Sequence, residues 1–304
     1  MRNADLRKIL LVGLAVLALA MAGCQRPAAR IVSEPTRQLV DDLGRTVSVP
    51  AKVSRVVSTA PSVTENVFAV GAGDRLVGVT TFCNYPEEAK AIAKVGDTLN
   101  PNMETIVALK PDVVLVSSAS QLENFTKVLE QNGIAVYVTS PTTLDDVFKD
   151  LGKLGELFAT AQEASELVYD LRGRVDALAN RLRDERPARV FVQISREPLF
   201  TIGKESFLNN VIIKAGAESV TADVATAYPK LNPEAASAMD PDAIIISESP
   251  DNQQPNDAFR NSPAVKNRRI FKVNADLLSR PGPRLVDAME QIARDLHPAK
   301  FRNK

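Results

Sequence analysis

The sequence has few of the residues and motifs that enzymes commonly use for catalysis or nucleotide binding. Its 304 residues include one histidine (His297), two cysteines and no tryptophan. With its only histidine close to the C-terminus, the chain offers no Ser-His-Asp or Cys-His arrangement. Gly71-Ala72-Gly73 lacks the third glycine of a dinucleotide fingerprint, and a P-loop motif is absent. These absences favour a binding function over catalysis, although an enzyme or a scaffold remains an alternative.

An excess of charge of one sign is also missing. Lysine and arginine together number 37, as do aspartate and glutamate. No basic run is long enough to indicate a nucleic-acid partner. His, Cys and carboxylate residues do not follow the spacing of metal ligands, and the pairs Asp41-Asp42 and Asp145-Asp146 are interpreted as turn or cap residues. We therefore predict no nucleic-acid partner, no metal site and no cofactor.

The N-terminal apolar run is too short to span a membrane. It covers residues 9–21, follows a positively charged start and ends in Ala-Gly-Cys24, whereas a spanning helix needs about 20 residues. This pattern predicts a signal peptide over residues 1–23. The small residues before Cys24 resemble a bacterial lipobox, which implies lipid on the Cys24 sulfur and a membrane anchor. The alternative is an ordinary secretory signal with an incidental cysteine.

The sequence after Cys24 predicts a tether and then a body without disulfides. Residues 24–38 are polar and contain proline, as is typical of a linker. Cys83 is the remaining cysteine, so an exported chain would have no internal disulfide. We interpret Cys83 as a small buried residue, with a ligand role as the alternative.

Two segments of the chain share a pattern at a separation of 130 residues. Residues 102–117 and 232–247 each predict an N-capping asparagine, a short helix with a glutamate in its first turn, a Pro-Asp pair and a buried parallel strand. The caps are Asn102 and Asn232, and the glutamates are Glu104 and Glu234. The repeat predicts two α/β lobes of similar build, with a ligand cleft between them.

A helical region separates the two halves. Residues 144–185 have helical character, and apolar residues recur at three-to-four spacing over residues 161–185, which would form a rod about 37 Å long. A single surface helix of one domain is the alternative to a helix that joins two lobes. We predict an N-terminal lobe over 39–142, a linking region over 143–187, and a C-terminal lobe with a terminal helix over 188–304. Such a rod should limit lobe movement on ligand binding.

The start of the first lobe predicts a strand followed by a capped helix. Residues 56–59 form the expected strand. Ser62 and Glu65 have the spacing of a capping box, which predicts that Glu65 serves the start of the next helix.

The order of several motifs resembles a known family. RVVSTAPSVTENVFAVGAGDRLVGVTTFCNYPEEA, NPNMETIVALKPDVVL, LFTIGKESFLNNVI and RPGPRLVDAMEQIARDL occur in that order. Together they resemble periplasmic binding proteins of the single-backbone-helix class, which serve ABC importers of iron-siderophores, haem and vitamin B12. FTIGKES and YPKLNPE are most similar to the cobalamin-binding branch. The resemblance implies two lobes with mostly parallel sheets joined by one long helix.

The resemblance also implies partners and site residues. It implies a monomer, exported to the periplasm or cell surface, that delivers a small molecule to an ABC permease dimer with ATPase subunits. Glu104 and Glu234 would dock on the permease, or alternatively only favour their helix starts. The ligand would be cobalamin or another metal chelate, and the implied ligand-binding residues are Phe82, Tyr85, Thr98, Phe200, Tyr228 and Arg280.

This sequence departs from the cobalamin branch at its aromatic positions. Phe82 stands where that branch has tyrosine, and Thr98 and Tyr228 stand where it has tryptophan. Phe200 and Tyr85 have a structural alternative, in the core and in turn packing respectively. A ferric siderophore or haem is the alternative ligand and would need positive groups; Arg196, Arg280 and Arg284 occupy suitable loops.

Overall fold

The computed structural model describes residues 35–117 and 122–302. The predicted signal peptide, Cys24 and residues 25–34 of the predicted tether lie outside these residues.

The N-terminal lobe is built on a four-stranded parallel sheet in the order β4-β3-β5-β6. Its strands are almost continuously apolar and buried, as parallel strands covered on both faces must be. The strands are β3 (Val56–Ser58), β4 (Leu76–Val79), β5 (Val113–Ser117) and β6 (Ala135–Thr139). The helices are α1 (Pro61–Ala69), α2 (Met103–Ala108) and α3 (Leu122–Gln131).

A hairpin of β1 (Thr36–Val40) and β2 (Thr46–Pro50) covers the edge of this sheet. The Asp42 amide donates to the Val138 carbonyl at 3.1 Å, and the Tyr137 hydroxyl donates to the Val40 carbonyl at 3.2 Å. Covering β6 in this way removes an exposed strand edge, which could otherwise pair with another chain. Strand β1 begins at Thr36, within the range that the sequence assigned to the tether.

The C-terminal lobe has a second four-stranded parallel sheet, in the order β10-β9-β7-β8. Within each lobe, the strands therefore lie in the order second, first, third, fourth. The strands are β7 (Ala188–Gln193), β8 (Ala217–Ser219), β9 (Ala243–Glu248) and β10 (Ile270–Asn274). The helices are α6 (Phe207–Lys214), α7 (Pro233–Ser237), α8 (Pro263–Lys266), α9 (Ala275–Ser279) and α10 (Leu285–Leu296). The shared strand order confirms two similar α/β lobes.

Two helices, and not one, occupy the linking region. They are α4 (Leu144–Phe158) and α5 (Ala161–Leu182). The chain turns at Ala159, whose φ of 53° is left-handed, so the stretch 144–185 is not one continuous helix. The long helix α5 ends at Leu182, three residues before the predicted end, and spans about 33 Å.

Close packing at the turn explains the arrangement of α4 and α5. A Cβ at Gly155 would lie 2.4 Å from the Ala164 Cβ, so only glycine allows the two helices to approach this closely. Further along α5, Arg174 pairs with Asp287 at 2.6 Å and Glu290 at 3.0 Å on α10 of the C-terminal lobe. Helix α5 is therefore the backbone helix that the resemblance implied.

The repeated helix–strand unit is present in both lobes. Asn102 Oδ1 accepts a hydrogen bond from the Thr105 amide at 2.9 Å, and Asn232 Oδ1 accepts from the Ala235 amide at 2.7 Å. Left-handed residues follow both helices at the same separation of 130, Lys110 with φ 47° and Asp240 with φ 51°. The predicted asparagine caps are confirmed.

The capping box predicted at the start of the first lobe is wrong. Helix α1 begins at Pro61, Ala60 occupies the N-cap without a side-chain bond, and Ser62 is the second helical residue. The Glu65 side chain is buried and has partners far away in the sequence.

Two carboxyl groups, one buried and one partly buried, lie close together where the hairpin meets α4. Asp150 is buried on α4, and Asp42 lies in the β1–β2 turn, where its Oδ2 accepts from the Ser140 amide at 2.7 Å. Burial, reinforced by the negative charge of Asp42, raises the pKa of Asp150 to about 8. In the folded protein, Asp150 therefore holds its proton at pH values where an unfolded aspartate has lost it.

This raised pKa predicts stability that declines with pH. An unfolded aspartate has a pKa near 3.9, so the stabilisation from Asp150 is complete below about pH 4 and is lost as pH rises through about 8. We expect Asp150→Asn to flatten this decline, which cannot exceed about 1.4 kcal/mol per pH unit. Denaturant unfolding at pH 5, 7 and 8.5 measures it.

Asp146→Asn provides the control for this prediction. Its hydrogen bonds with Lys149 and the neighbouring threonines lower the pKa of Asp146, so its stabilising effect is lost only in acid. The charge of Asp146 is the smallest of the causes that act on Asp150, so the Asp146→Asn variant should keep most of the wild-type slope between pH 5 and 8.5. An unchanged slope in Asp150→Asn would contradict the assignment.

Candidate ligand cleft and docking residues

The loops at the carboxyl ends of the strands carry the predicted ligand residues. Phe82 and Tyr85 follow β4, Phe200 follows β7, and Arg280 lies beyond β10. Open parallel sheets bind ligands at this edge. The loops of the two lobes approach each other here, since Asn84 Nδ2 donates to Asp276 Oδ2 at 3.1 Å. The carboxyl edges of both sheets therefore frame the candidate cleft.

Phe82 and Thr98 lie on adjacent segments of the N-terminal lobe. The Thr81 amide donates to the Gly96 carbonyl at 2.9 Å, which joins the segment after β4 to the segment before α2. The Phe82 ring is 59% exposed, and Thr98 is partly buried. The structure thus places these two predicted residues on neighbouring segments and leaves Phe82 exposed to solvent.

Phe200 and Tyr228 form the corresponding pair in the C-terminal lobe. The Thr201 amide donates to the Pro229 carbonyl at 3.1 Å, and Phe200 bridges Lys230 in an antiparallel pairing. The Tyr228 ring is 43% exposed. Its partial burial raises the pKa of Tyr228, an effect that a hydrogen bond with Ser206 partly offsets.

Gly203 allows these two segments to approach. A Cβ at this position would lie 2.0 Å from the Thr226 carbonyl oxygen. The Gly203 amide also donates to the Ala227 carbonyl at 2.9 Å. The conformation of the loop that carries Tyr228 therefore depends on a glycine at position 203.

Arg280 is the centre of an ionic cluster that joins the lobes. Its Nη1 donates to Glu65 Oε1 and to Asn84 Oδ1, both at 2.7 Å, and its Nη2 lies 2.8 Å from Asp276 Oδ1. Both Arg280 and Glu65 are buried. Arg284 also pairs with Glu65, with its Nε 2.8 Å from Oε2. A buried carboxylate of the N-terminal lobe thus binds two guanidinium groups of the C-terminal lobe.

Tyr85 lies beside this cluster. The guanidinium carbon of Arg284 is 3.9 Å from the centroid of the Tyr85 ring, within the range of a cation–π contact. Tyr85 also lines a cavity of about 330 Å³ with Phe68, Pro86 and Pro283. The structure therefore places Tyr85 at the junction of the lobes.

Carboxylates already pair with all three of the arginines considered for an anionic ligand. Arg196 Nη2 lies 3.2 Å from Asp257 Oδ1, while Arg280 and Arg284 share Glu65. Their positive charges are therefore compensated within the protein.

The sequence reasoning missed Glu65, Asn84 and Asp276. The partners of Glu65 are 215 and 219 residues away in the sequence, so no local pattern could identify them. The one local indication was the position of Glu65 two residues before Val67 and Phe68, and the capping-box interpretation had already given Glu65 a role at the helix start.

Cys83 is a buried free cysteine. Its sulfur lies 3.1 Å from Thr64 Oγ1 and 3.2 Å from Thr80 Oγ1, so the interpretation as a small buried residue is confirmed. Within residues 35–117 and 122–302, no three or more His, Cys, Asp and Glu side chains are grouped to hold a metal ion. In the same part of the chain, no helix combines the length and apolar character needed to cross a membrane.

The two predicted docking glutamates occupy corresponding exposed positions. Glu104 and Glu234 lie in the first turns of α2 and α7, one on each lobe. A negative charge at a helix start is favoured by the helix dipole. Their role in docking stays a prediction.

The sequence matches the family described as periplasmic binding protein over residues 56–277. It is 32% identical to an uncharacterised ABC transporter substrate-binding lipoprotein of Bacillus subtilis, YvrC, over 95% of this chain and 96% of that protein.

Two solved structures show the same fold. The periplasmic vitamin B12 binding protein BtuF of Vibrio cholerae is 29% identical, with a TM-score of 0.71 over 82% of this chain and 99% of that one. A periplasmic haem-binding protein of Pseudomonas aeruginosa is 26% identical, with a TM-score of 0.72 over 81% of this chain and 94% of that one. The chain therefore belongs to the periplasmic binding protein family and is the solute-binding protein of an ABC transporter, not an enzyme.

Proposed function

We propose that this protein captures a corrinoid such as vitamin B12 between its lobes and delivers it to the permease of an ABC importer. The observation that carries the choice of ligand is the pairing of Arg196, Arg280 and Arg284 with carboxylates. A ligand with several negative charges would have to compete with Glu65 and Asp257 for these cations. Cyanocobalamin has no net charge and needs no such exchange.

Exposed aromatic rings support the same choice. Phe82 and Tyr228 lie at the carboxyl edges of different lobes; Phe82 is exposed to solvent, and Tyr228 is exposed in part. A corrin ring is broad and flat, and aromatic side chains bind such a face through large apolar contact area. Vitamin B12 is the ligand named for the relative from Vibrio cholerae. A ferric siderophore or haem is the alternative.

A lipid anchor on Cys24 would hold the protein at the membrane surface. The apolar run, the small residues and Cys24 support this proposal, as does the description of the Bacillus subtilis relative as a lipoprotein. The residues from 24 to the first strand at Thr36 would connect lipid and body. The protein would act outside the cytoplasm as a monomer.

Docking would use one glutamate from each lobe. Glu104 and Glu234 stand at the same position of the same helix–strand unit in two lobes with one strand order. Such a pair suits a permease built from two related subunits. Arginine pairs well with carboxylate because two parallel hydrogen bonds form.

The ligand proposal predicts that cleft aromatics contribute to affinity. We expect Phe200→Ala and Tyr228→Ala each to weaken cyanocobalamin binding about tenfold, because a lost aromatic contact costs about 1.4 kcal/mol. Isothermal titration calorimetry measures these affinities, because a protein without tryptophan offers no tryptophan fluorescence to follow.

Tyr169→Ala is the matched control for the aromatic variants. Tyr169 is 82% exposed on α5 and lies outside the strand-end loops. Its removal should leave the affinity unchanged. Equal affinities for wild type, Phe200→Ala and Tyr228→Ala would contradict the assigned cleft wall.

A further inference from the structure

Leu99 is the most exposed leucine of the part of the chain that the structure describes. Its side chain is 72% exposed, and it lies in the loop that leads into α2. Single exposed leucines are common on soluble proteins. Leu99 differs from such residues in two ways: hydrogen bonds fix the loop that carries it, and it lies close to Glu104.

The loop that carries Leu99 is held in one conformation. Asp97 Oδ1 accepts from the amides of Leu99 at 2.8 Å and of Asn100 at 2.6 Å. The Asn102 amide donates to the Val95 carbonyl at 2.7 Å, which closes the loop at its base. A side chain presented by a fixed backbone loses less conformational entropy when a partner covers it.

The fold does not require an exposed leucine at this position. The equivalent residue of the C-terminal lobe, 130 positions later, is Pro229, which is buried, and Lys230 follows it in the exposed position. That lobe builds the same helix start with Asn232 as its cap. The exposed leucine is therefore a property of the N-terminal lobe and not of the helix–strand unit.

A partner that reaches Glu104 also reaches Leu99. Residues 99 to 102 span at most about 11 Å, and the Cα atoms of helical residues two apart are separated by about 5 Å, so the Cα atoms of Leu99 and Glu104 lie within about 16 Å. A standard protein interface buries about 800 Å² per partner, equivalent to a disc of roughly 16 Å radius. An interface centred on Glu104 would thus include the loop.

We propose that Leu99 is an apolar anchor of the permease-docking surface and enters a hydrophobic pocket beside the basic group that pairs with Glu104. The inference rests on the proposed docking role of Glu104. Protein interfaces commonly combine apolar contacts with charged and polar groups around them, and Leu99 with Glu104 offers one of each.

The test compares docking and ligand binding in the same variants. Full-length Leu99→Ser, Glu104→Ala and Tyr169→Ser are titrated against the reconstituted permease–ATPase complex that the wild-type protein serves, and their cyanocobalamin affinities are measured by calorimetry. We expect Leu99→Ser to weaken docking about tenfold with unchanged cyanocobalamin affinity. Tyr169→Ser, which alters an equally exposed residue on α5, should dock as wild type does.

Three results would overturn the inference. If Leu99→Ser docks normally and Glu104→Ala does not, the leucine has no part in a docking surface that exists. If both variants dock normally, the proposed docking role of Glu104 fails as well. If Leu99→Ser weakens cyanocobalamin binding, the loop belongs to the ligand cleft.

Discussion

Replacing Glu104 and Glu234 together by lysine should reduce uptake through the importer at least a hundredfold while ligand affinity stays unchanged. Each substitution turns an attraction for a basic permease group into a repulsion, and like charges placed opposite each other across an interface cost several kcal/mol. Uptake by cells that lack the wild-type protein measures the first quantity, and calorimetry measures the second.

The double variant should remain folded. Asn102 and Asn232 still cap both helices, and a reversed charge at an exposed helix start costs only about 0.3–1 kcal/mol. Glu218→Lys, which reverses an exposed charge on β8, is the control and should support normal uptake. Normal uptake by the double variant would refute docking through these acids, and lost ligand affinity would place them in the cleft.

Glu65→Ala should destabilise the protein by about 3–5 kcal/mol, because it leaves Arg280 buried and Arg284 partly buried without their shared carboxylate. Glu65 is only 4% exposed, so solvent screens its ion pairs weakly. For a chain of this size the loss lowers Tm by roughly 10 °C. Denaturant and thermal unfolding measure both quantities.

A surface ion pair provides the comparison for Glu65. Glu185 pairs with Lys300 at 3.1 Å near the C-terminus, and removal of such a partly exposed pair costs at most about 1 kcal/mol. Glu185→Ala should therefore change stability little. If Glu65→Ala costs no more than Glu185→Ala, the cluster does not hold the lobes together.

Features that depend on neighbouring residues could be predicted from the sequence. Asn102 and Asn232 cap helices through amides three residues away, and β5 and β9 are continuous apolar segments, so the doubled helix–strand unit was visible in sequence. Apolar spacing over residues 161–185 predicted the long helix. The family resemblance implied the ligand-binding positions, and these stay a prediction.

Features that depend on tertiary contacts could not be predicted in this way. The break between α4 and α5 arises where Gly155 meets Ala164, and helical periodicity continues on both sides of it. Glu65 had the spacing of a capping residue, yet its partners are on the other lobe. Phe200 and Tyr228 lie on neighbouring segments because Phe200 pairs with Lys230 through the backbone.

The sequence predicted limited lobe movement because a stiff helix joins the lobes. The structure offers a second physical reason for the same expectation. Besides helix α5, the lobes are joined through Glu65, Arg280 and Arg284, and through the contact of Asn84 with Asp276. A buried set of charges has a well-defined arrangement, because separating its members would leave them unpaired. Lobe closure around a ligand would have to preserve these contacts.

The choice of ligand is tested most directly by calorimetric titration of the wild-type protein with cyanocobalamin, haem and a ferric siderophore under one set of conditions. The account predicts saturable binding of one cyanocobalamin per protein, tighter than binding of either iron compound. No heat with cyanocobalamin at tens of micromolar, together with saturable binding of haem or the siderophore, would contradict it.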